Sequence, residues 1–313
     1  MTIEIPEIKY NGAIRSIQLG DNDAAVTIGG ETGYPFYTFE GQMPNMPQIA
    51  MEVYDEAPVD WPEAALHPFA DVLNDPVAWA KKCVSEYGAE MICLQLQSTD
   101  PNGSNRSAEE TVELVKNICR EIDVPIIIWG TANLEKDTEV LRAVAENITD
   151  RRLALGPVEE GNYKKIGATA MASNHVVIAS SPIDINLAKQ LNILMSNLGV
   201  KETDTVMDPT VSAIGYGIEY AYSVMERIRM AALTQQDEKL QFPLICNIAR
   251  ETWKARESKV TEAEEPGMGD AAKRGIALEA MSASLLLMAG ADVLIMRHPE
   301  AVAAARELII DLV

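Results

Sequence analysis

Apolar residues recur along the 313-residue chain with two alternating periods. Short runs rich in β-branched residues, the pattern of buried strands, are each followed by a longer stretch with apolar positions three and four apart, the pattern of an amphipathic helix. The first run, "PQIAMEVYD" (47–55), is followed after a long loop by "DPVAWAKKCVSEYG". "AEMICLQLQ" precedes "SAEETVELVKNICREI", where Ser107 and Glu110 have capping-box spacing. "VPIIIWG" precedes "LEKDTEVLRAVAENI", "RRLALGPV" precedes "EEGNYKKIGATAMASN", and "HVVIASSP" precedes "DINLAKQLNILMSNLG". "TDTVMDPT" precedes "IEYAYSVMERIRMAALTQQ"; "FPLICNIA" is followed after a long loop by "DAAKRGIALEAMSASLLLMAG"; "ADVLIMRHP" leads into "EAVAAARELIIDL".

Eight such pairs imply parallel strands joined by helical crossovers, and they close most simply into a (β/α)8 TIM barrel. An open doubly wound sheet is disfavoured, because no GxGxxG or P-loop follows the first strand and all eight units form one array. Residues 1–45 fall outside the array. There "AIRSIQL" and "AAVTIGG" around "GDND" read as a β-hairpin, so the chain divides into a hairpin extension over 1–45 and a barrel over 46–313.

Charge narrows the partners. Forty-seven acidic against 26 basic residues give a formal net charge of −21, which repels a phosphate backbone and an anionic bilayer alike. The opening "MTIEIPEIKYNG" lacks the basic start and apolar run of a secretory signal, and "SASLLLMAGADVLIM" is interrupted by Gly290 and Asp292, so a soluble cytoplasmic protein is expected. Cys83, Cys93, Cys119 and Cys246 match no zinc or iron–sulfur spacing, and four buried thiols are expected.

In such barrels chemistry collects at the carboxyl ends of the strands. In chain order these positions hold Glu52 and Asp55; Gln97, Asp100 and Asn102; Trp129 and Asn133; Pro157 and Glu159; Ser180 and Ser181; Asp208 and Thr210; Asn247, Arg250, Glu251 and Trp253; Arg297 and His298. The run "CNIARETWKARESKV" thus reads as a core strand that leaves the barrel near Asn247 and lines its mouth with ions, with Arg250 and Glu251 paired to neighbouring strand ends. Trp253 reads either as an interface anchor or as a cover over a surface loop.

The set is polar but chemically diffuse, and no catalytic residue or metal ligand is assigned. With three histidines, a metal hydrolase site is poorly supported; His67 reads as a surface residue, His175 as structural, and His298 alone is placed for chemistry. No lysine leaves a strand interior and no GxSxG occurs. Asp208, in "MDPTVSAIGYGIEYA", could pair with the NH and NH2 edge of a pterin or could cap the next helix, and both readings stay open. The glycines of "EEPGMGDAAKRG" suit a helix cap at Asp270 better than an anion site, given the adjacent Glu262, Glu264 and Glu265.

"NIARETWKARESKV" followed by "GDAAKRGIALEAMSASLLLMAGADVLIMRHPEAV" resembles the small (delta) subunit of the corrinoid iron–sulfur protein of acetyl-CoA decarbonylase/synthase. The likeness runs over nearly the whole chain, from "IQLGDNDAAVTIGGETGYPFYTFEG" onward. The resemblance implies a barrel subunit, itself non-catalytic, that forms a heterodimer with a large subunit bearing a 4Fe–4S cluster and a corrinoid-binding domain. Cobalamin is then shared between the two, takes a methyl group from a methyltetrahydrofolate methyltransferase and passes it to CO dehydrogenase/acetyl-CoA synthase in the reductive acetyl-CoA pathway. The chain carries no DxHxxG cobalt-ligand motif and no four-cysteine motif, in keeping with that division. The resemblance makes Asn102, Trp129, Asn133, Ser180, Ser181, Asp208, Thr210, Asn247, Arg250, Glu251, Trp253 and His298 the candidate corrin-facing residues. The alternative is a free-standing pterin-dependent methyltransferase, which Asp208 would suit. Against it, the fourth strand ends in "LGPV" with no amide or carboxylate to face a pterin.

Overall fold

The computed structural model describes residues 6–212 and 214–312; residues 1–5, which begin the expected extension, and Ala213 and Val313 lie outside the described residues. In the extension β1 (Ile17–Leu19) pairs antiparallel with β2 (Val26–Ile28). The barrel strands are β3 (Gln48–Tyr54), β4 (Ile92–Gln95), β5 (Ile126–Trp129), β6 (Ala154–Val158), β7 (Val176–Ser180), β8 (Thr205–Asp208), β9 (Leu244–Asn247) and β10 (Ala291–Met296). They close in the order β10-β3-β4-β5-β6-β7-β8-β9 with every neighbour parallel, the expected TIM barrel.

Around it run α1 (Glu63–Leu66), α2 (Pro76–Ser85), α3 (Ala108–Glu121), α4 (Leu134–Asn147), α5 (Tyr163–Ala172), α6 (Ile185–Leu198) and α7 (Ile218–Thr234). After β9 come α8 (Ile248–Lys254), α9 (Arg256–Lys259), α10 (Ala271–Met288) and finally α11 (Pro299–Leu312). The capping box opens α3: Ser107 Oγ accepts the Glu110 amide at 3.2 Å and Glu110 Oε2 accepts the Ser107 amide at 3.2 Å.

The loop expected after the seventh barrel strand is instead largely helical. Ile248 and Ala249, expected to extend that strand, begin α8, because Asn247 Oδ1 accepts the Arg250 amide at 3.5 Å and caps a new helix directly at the strand end. In the β6–β7 ladder the register slips between Leu155 and Val158, where Pro157 has no N–H to give.

Two apolar cores result. One fills the space between strands and helices. The other fills the barrel interior with Ala50, Cys93, Ile127, Val206, Ile245 and Val293, and Ile17, Leu19 and Ile28 of the hairpin continue it, so the hairpin plugs the amino-terminal end. Acid–base pairs lock the plug. Arg151 Nε lies 3.3 Å from Asp21, the Arg152 amide donates to Asp21 at 2.9 Å, and the Arg152 guanidinium bonds Asp204 at 2.7 Å and the Gln18 carbonyl at 3.3 Å. Deeper, Arg229 is paired with Asp292 and donates to the Gly290 carbonyl at 2.5 Å. Gly290 has φ +108, and a Cβ there would lie 2.5 Å from the Arg229 side chain, so only glycine lets the arginine pass. Glu31 is buried beside this pair. Burial, reinforced by the Asp292 carboxylate, pushes its pKa up to about 9, so Glu31 is protonated at neutral pH.

Candidate functional site

At the carboxyl end the strands open into a hollow of about 250 Å³. Trp129 closes β5, Ser180 β7, Asp208 β8 and Asn247 β9; these four line the hollow with Thr210 from the loop after β8 and Arg250, Glu251 and Lys254 from α8. Ser180 and Asp208 stand side by side in the β7–β8 register. Seven of the candidate residues therefore meet: Trp129, Ser180, Asp208, Thr210, Asn247, Arg250 and Glu251. Ser181 lines an adjoining hollow of about 490 Å³ that shares Glu159, Ser180 and Thr210 with the first.

The other four candidates lie elsewhere. Asn102 is exposed in the loop after β4, its amide and Nδ2 both donating to Asp100 Oδ1 at 2.9 and 3.2 Å. Asn133 caps α4, accepting the Lys136 amide at 3.1 Å. Trp253 is only 1% exposed, and what it shows lines a further hollow of about 320 Å³ with Arg250, Lys254 and Arg297. Its Nε1 donates to Glu279 Oε2 at 2.8 Å, its ring lies 5.9 Å from that of His298, and a Cβ on Gly275 of α10 would come 2.6 Å from it. His298 is buried beside it; its Nδ1 accepts the Glu300 amide at 3.2 Å at the start of α11, and burial lowers its pKa. His175 is likewise a satisfied core residue, accepting the Leu153 amide at 3.2 Å, whereas His67 is exposed.

The sequence reading missed Glu279. Buried on α10, it accepts Trp253 Nε1 and the amides of Arg297 at 2.6 Å and His298 at 3.1 Å, tying α8, α10 and the end of β10 together. Its signal in sequence is one acid on an otherwise apolar helical face, which an exposed position would mimic. Arg297 is held as firmly: it pairs with Glu52 at 2.7 Å and stacks 3.5 Å above the centre of the Trp61 ring.

The electrostatics of the hollow are unbalanced. Asp208 spends Oδ1 on the Thr210 amide at 2.9 Å, and burial pushes its pKa up to about 6. Burial, then the Asp137 carboxylate, raises Glu159. Arg250 was expected to pair with a neighbouring strand end, but it has no ion-pair partner among the described residues, and Glu251 meets only Lys254 of its own helix at 3.8 Å. Burial and the Arg250 charge hold Lys254 below its ordinary value. Asn247 Nδ2, in a residue 7% exposed, has no partner, and Ser180 Oγ, equally buried, has none nearer than the Asp208 carboxylate beside it, whose rise it moderates.

Among the described residues no three His, Cys, Asp or Glu side chains cluster as metal ligands. The cysteines lie apart on α2, β4, α3 and β9; three are buried, and Cys119, expected to be buried, is intermediate. Burial pushes Cys83 up to about 12 and Cys119 to about 11. A larger hollow of about 540 Å³ lies at the opposite end, among Arg151, Arg152 and the acids paired with them.

A family model described as CO dehydrogenase/acetyl-CoA synthase delta subunit matches residues 16–310. The acetyl-CoA decarbonylase/synthase complex subunit delta of Archaeoglobus fulgidus is 36% identical, covering 96% of this chain and 68% of the relative. That of Methanopyrus kandleri is 38% identical over 95% and 72%. Among solved structures, dihydropteroate synthase from Stenotrophomonas maltophilia aligns with a TM-score of 0.58 over 95% of this chain and 98% of its own. That from Vibrio fischeri aligns at 0.56 over 87% and 94%. At 14% identity, both likenesses speak to the fold alone.

Proposed function

The chain belongs to the CO dehydrogenase/acetyl-CoA synthase delta subunit family, and we infer that it serves as the small subunit of the corrinoid iron–sulfur protein in acetyl-CoA pathway methyl transfer. The observation that carries this reading is the family match across residues 16–310. The free-standing pterin-dependent methyltransferase is not favoured, since the relatives at 36–38% identity are delta subunits while the synthases share only the barrel.

We assign the mouth to the corrinoid, shared with the large subunit. When bound, that group supplies the cobalt that accepts and releases the methyl group. The chain's own residues fit its periphery: Asn247 Nδ2 is unpaired in the hollow, and a corrin ring is edged with amides. Trp129 adds an aromatic wall. The dispersed, burial-raised cysteines do not fit an iron–sulfur cluster, and His298, buried with Nδ1 accepting the Glu300 amide and hence the proton on Nε2, does not fit a cobalt ligand, so both are assigned to the large subunit. Tyr216 and Tyr220, 82% and 63% exposed before and within the first turn of α7, are amphipathic anchors of the kind a partner covers. The methyltetrahydrofolate methyltransferase and acetyl-CoA synthase are the further partners this role requires.

The test is reconstitution. The chain, the large subunit and their mixture are each passed over gel filtration with cobalamin, and iron and visible absorbance are read on every peak. Cobalamin retained by the mixture, with iron only on the large subunit, is the expected result. A colourless isolated chain that transfers methyl from methyltetrahydrofolate to added free cob(I)alamin overturns the reading.

A further inference from the structure

Helix α8 stands between two hollows. Arg250, Glu251 and Lys254 line the one of about 250 Å³, and Arg250 and Lys254 also line the one of about 320 Å³, so this helix is the wall that separates them. Its seven residues make about two turns, too few to hold a helix in place without tertiary contacts. Local contacts give little help: the Asn247 Oδ1 cap on the Arg250 amide is long at 3.5 Å, and the pair of Glu251 with Lys254 stays within the helix. Among the described residues, one side-chain hydrogen bond runs from α8 to another barrel element, from Trp253 Nε1 to Glu279 Oε2 at 2.8 Å.

Glu279 suits that anchor. It is fully buried in the middle of α10 and takes two further N–H groups, the Arg297 amide on Oε1 at 2.6 Å and the His298 amide on Oε2 at 3.1 Å. A carboxylate accepts on both oxygens and can take all three donors, whereas an amide of the same shape has one acceptor oxygen and turns its NH2 toward the donors that remain. A buried ion carries a desolvation cost that an apolar side chain would avoid. What the ion gives in return is direction, because one of its donors belongs to α8 and the other two lie where β10 passes into α11. Gly275, one turn earlier on α10, leaves the slot for the Trp253 ring, since a Cβ there would come 2.6 Å from it. Both the place and the orientation of Trp253 are therefore set by α10.

We propose that Glu279 is a positioning residue for corrinoid binding: by holding Trp253 it sets where α8 stands, and with α8 the Arg250, Glu251 and Lys254 side chains at the mouth. This rests on the mouth being the corrinoid-facing end. Glu279 acts there through the helix that it holds.

Three variants separate positioning from stability. Glu279→Gln sets an NH2 against donors, Trp253→Phe removes the one donor that belongs to α8 and leaves the two amides, and Arg229→Met breaks a buried pair at the opposite end of the barrel. Each full-length variant is mixed with the large subunit and its methylcobalamin affinity is read by equilibrium dialysis. Urea unfolding of the free chain gives stability, and amide hydrogen exchange over residues 248–254, relative to α3, reports the hold on α8. The expected result is that Glu279→Gln and Trp253→Phe both speed exchange at α8 and weaken methylcobalamin binding by roughly 10- to 100-fold, the usual worth of a residue supporting a binding site from behind. Arg229→Met should lose stability and keep the parent's affinity. Affinity that falls in step with stability in all three variants makes Glu279 merely structural and overturns the proposal, as does faster exchange at α8 with the parent's affinity. Weak binding by Glu279→Gln with unchanged binding by Trp253→Phe also overturns it, because the route through α8 is then not used. If Glu279→Gln does not fold, Trp253→Phe against Arg229→Met decides. A parent mixture that binds no methylcobalamin overturns the corrinoid reading itself and this proposal with it, before any variant is compared.

Discussion

At the amino-terminal end of the barrel, Arg151, Arg152 and Arg229 are each matched to an acid, and a hairpin fills the opening with Ile17, Leu19 and Ile28. At the carboxyl end, Arg250 has no ion-pair partner among the described residues, Asn247 Nδ2 is unpaired, and burial raises Asp208. The same strands build both ends, so the difference is not one of fold. It lies in charge pairing: the arginines of the amino-terminal end each meet an acid and Arg250 at the mouth does not, while atoms without a hydrogen-bond partner occur at both ends, Asp21 Oδ1 and Glu31 Oε2 at one and Asn247 Nδ2 at the other. A buried polar group without a partner destabilises, and at the mouth such a group opens into a hollow where a ligand can complete it.

The largest expected effect comes from breaking the sealed end. Arg229→Met leaves Asp292 buried without its cation and should cost about 3–5 kcal/mol in urea unfolding, with cobalamin retention by the two-subunit mixture unchanged. Next is Trp253→Ala. Because the ring is buried and hydrogen-bonded to Glu279, the loss should fall on stability, again about 3–5 kcal/mol, and a variant as stable as the parent would return Trp253 to the surface role.

The mouth should respond in the opposite sense. In the fold Asp208 titrates at about 6 against the ordinary 3.8, so the charged form is the disfavoured one. Its stabilising contribution is complete below the unfolded value and is lost as pH rises through 6, a difference of about 3 kcal/mol. Asp208→Asn keeps an oxygen for the Thr210 amide and removes the charge, so it should raise stability at pH 8 by up to that amount and by nothing near pH 3. A variant destabilised at pH 8 would mean that Asp208 belongs with the satisfied residues. The smallest effect serves as a control remote from both ends: Ser107→Ala removes the α3 capping box and should lower the melting temperature by an amount equivalent to about 1 kcal/mol, with no pH dependence tied to the mouth.

The strand and helix periods alone determined the barrel. Eight β-branched runs alternating with helical stripes admit few closed arrangements, and hairpin residues such as Ile17 and Ile28 already alternated with polar neighbours. Local chemistry was legible for the same reason: Ser107 and Glu110 cap α3 through contacts three residues apart. What sequence could not decide was which strand-end side chains face one another and which are consumed by structure. Asn133 and Asn247 look alike as strand-end amides, yet only Asn247 opens into the hollow, while Asn133 is spent on α4. Trp253, among ions in sequence, is drawn into the core because Glu279, 26 residues away, accepts its indole N–H and Gly275 leaves room for its ring. Pairings across the barrel depend on closure and on helix packing, and neither leaves a periodic trace along the chain.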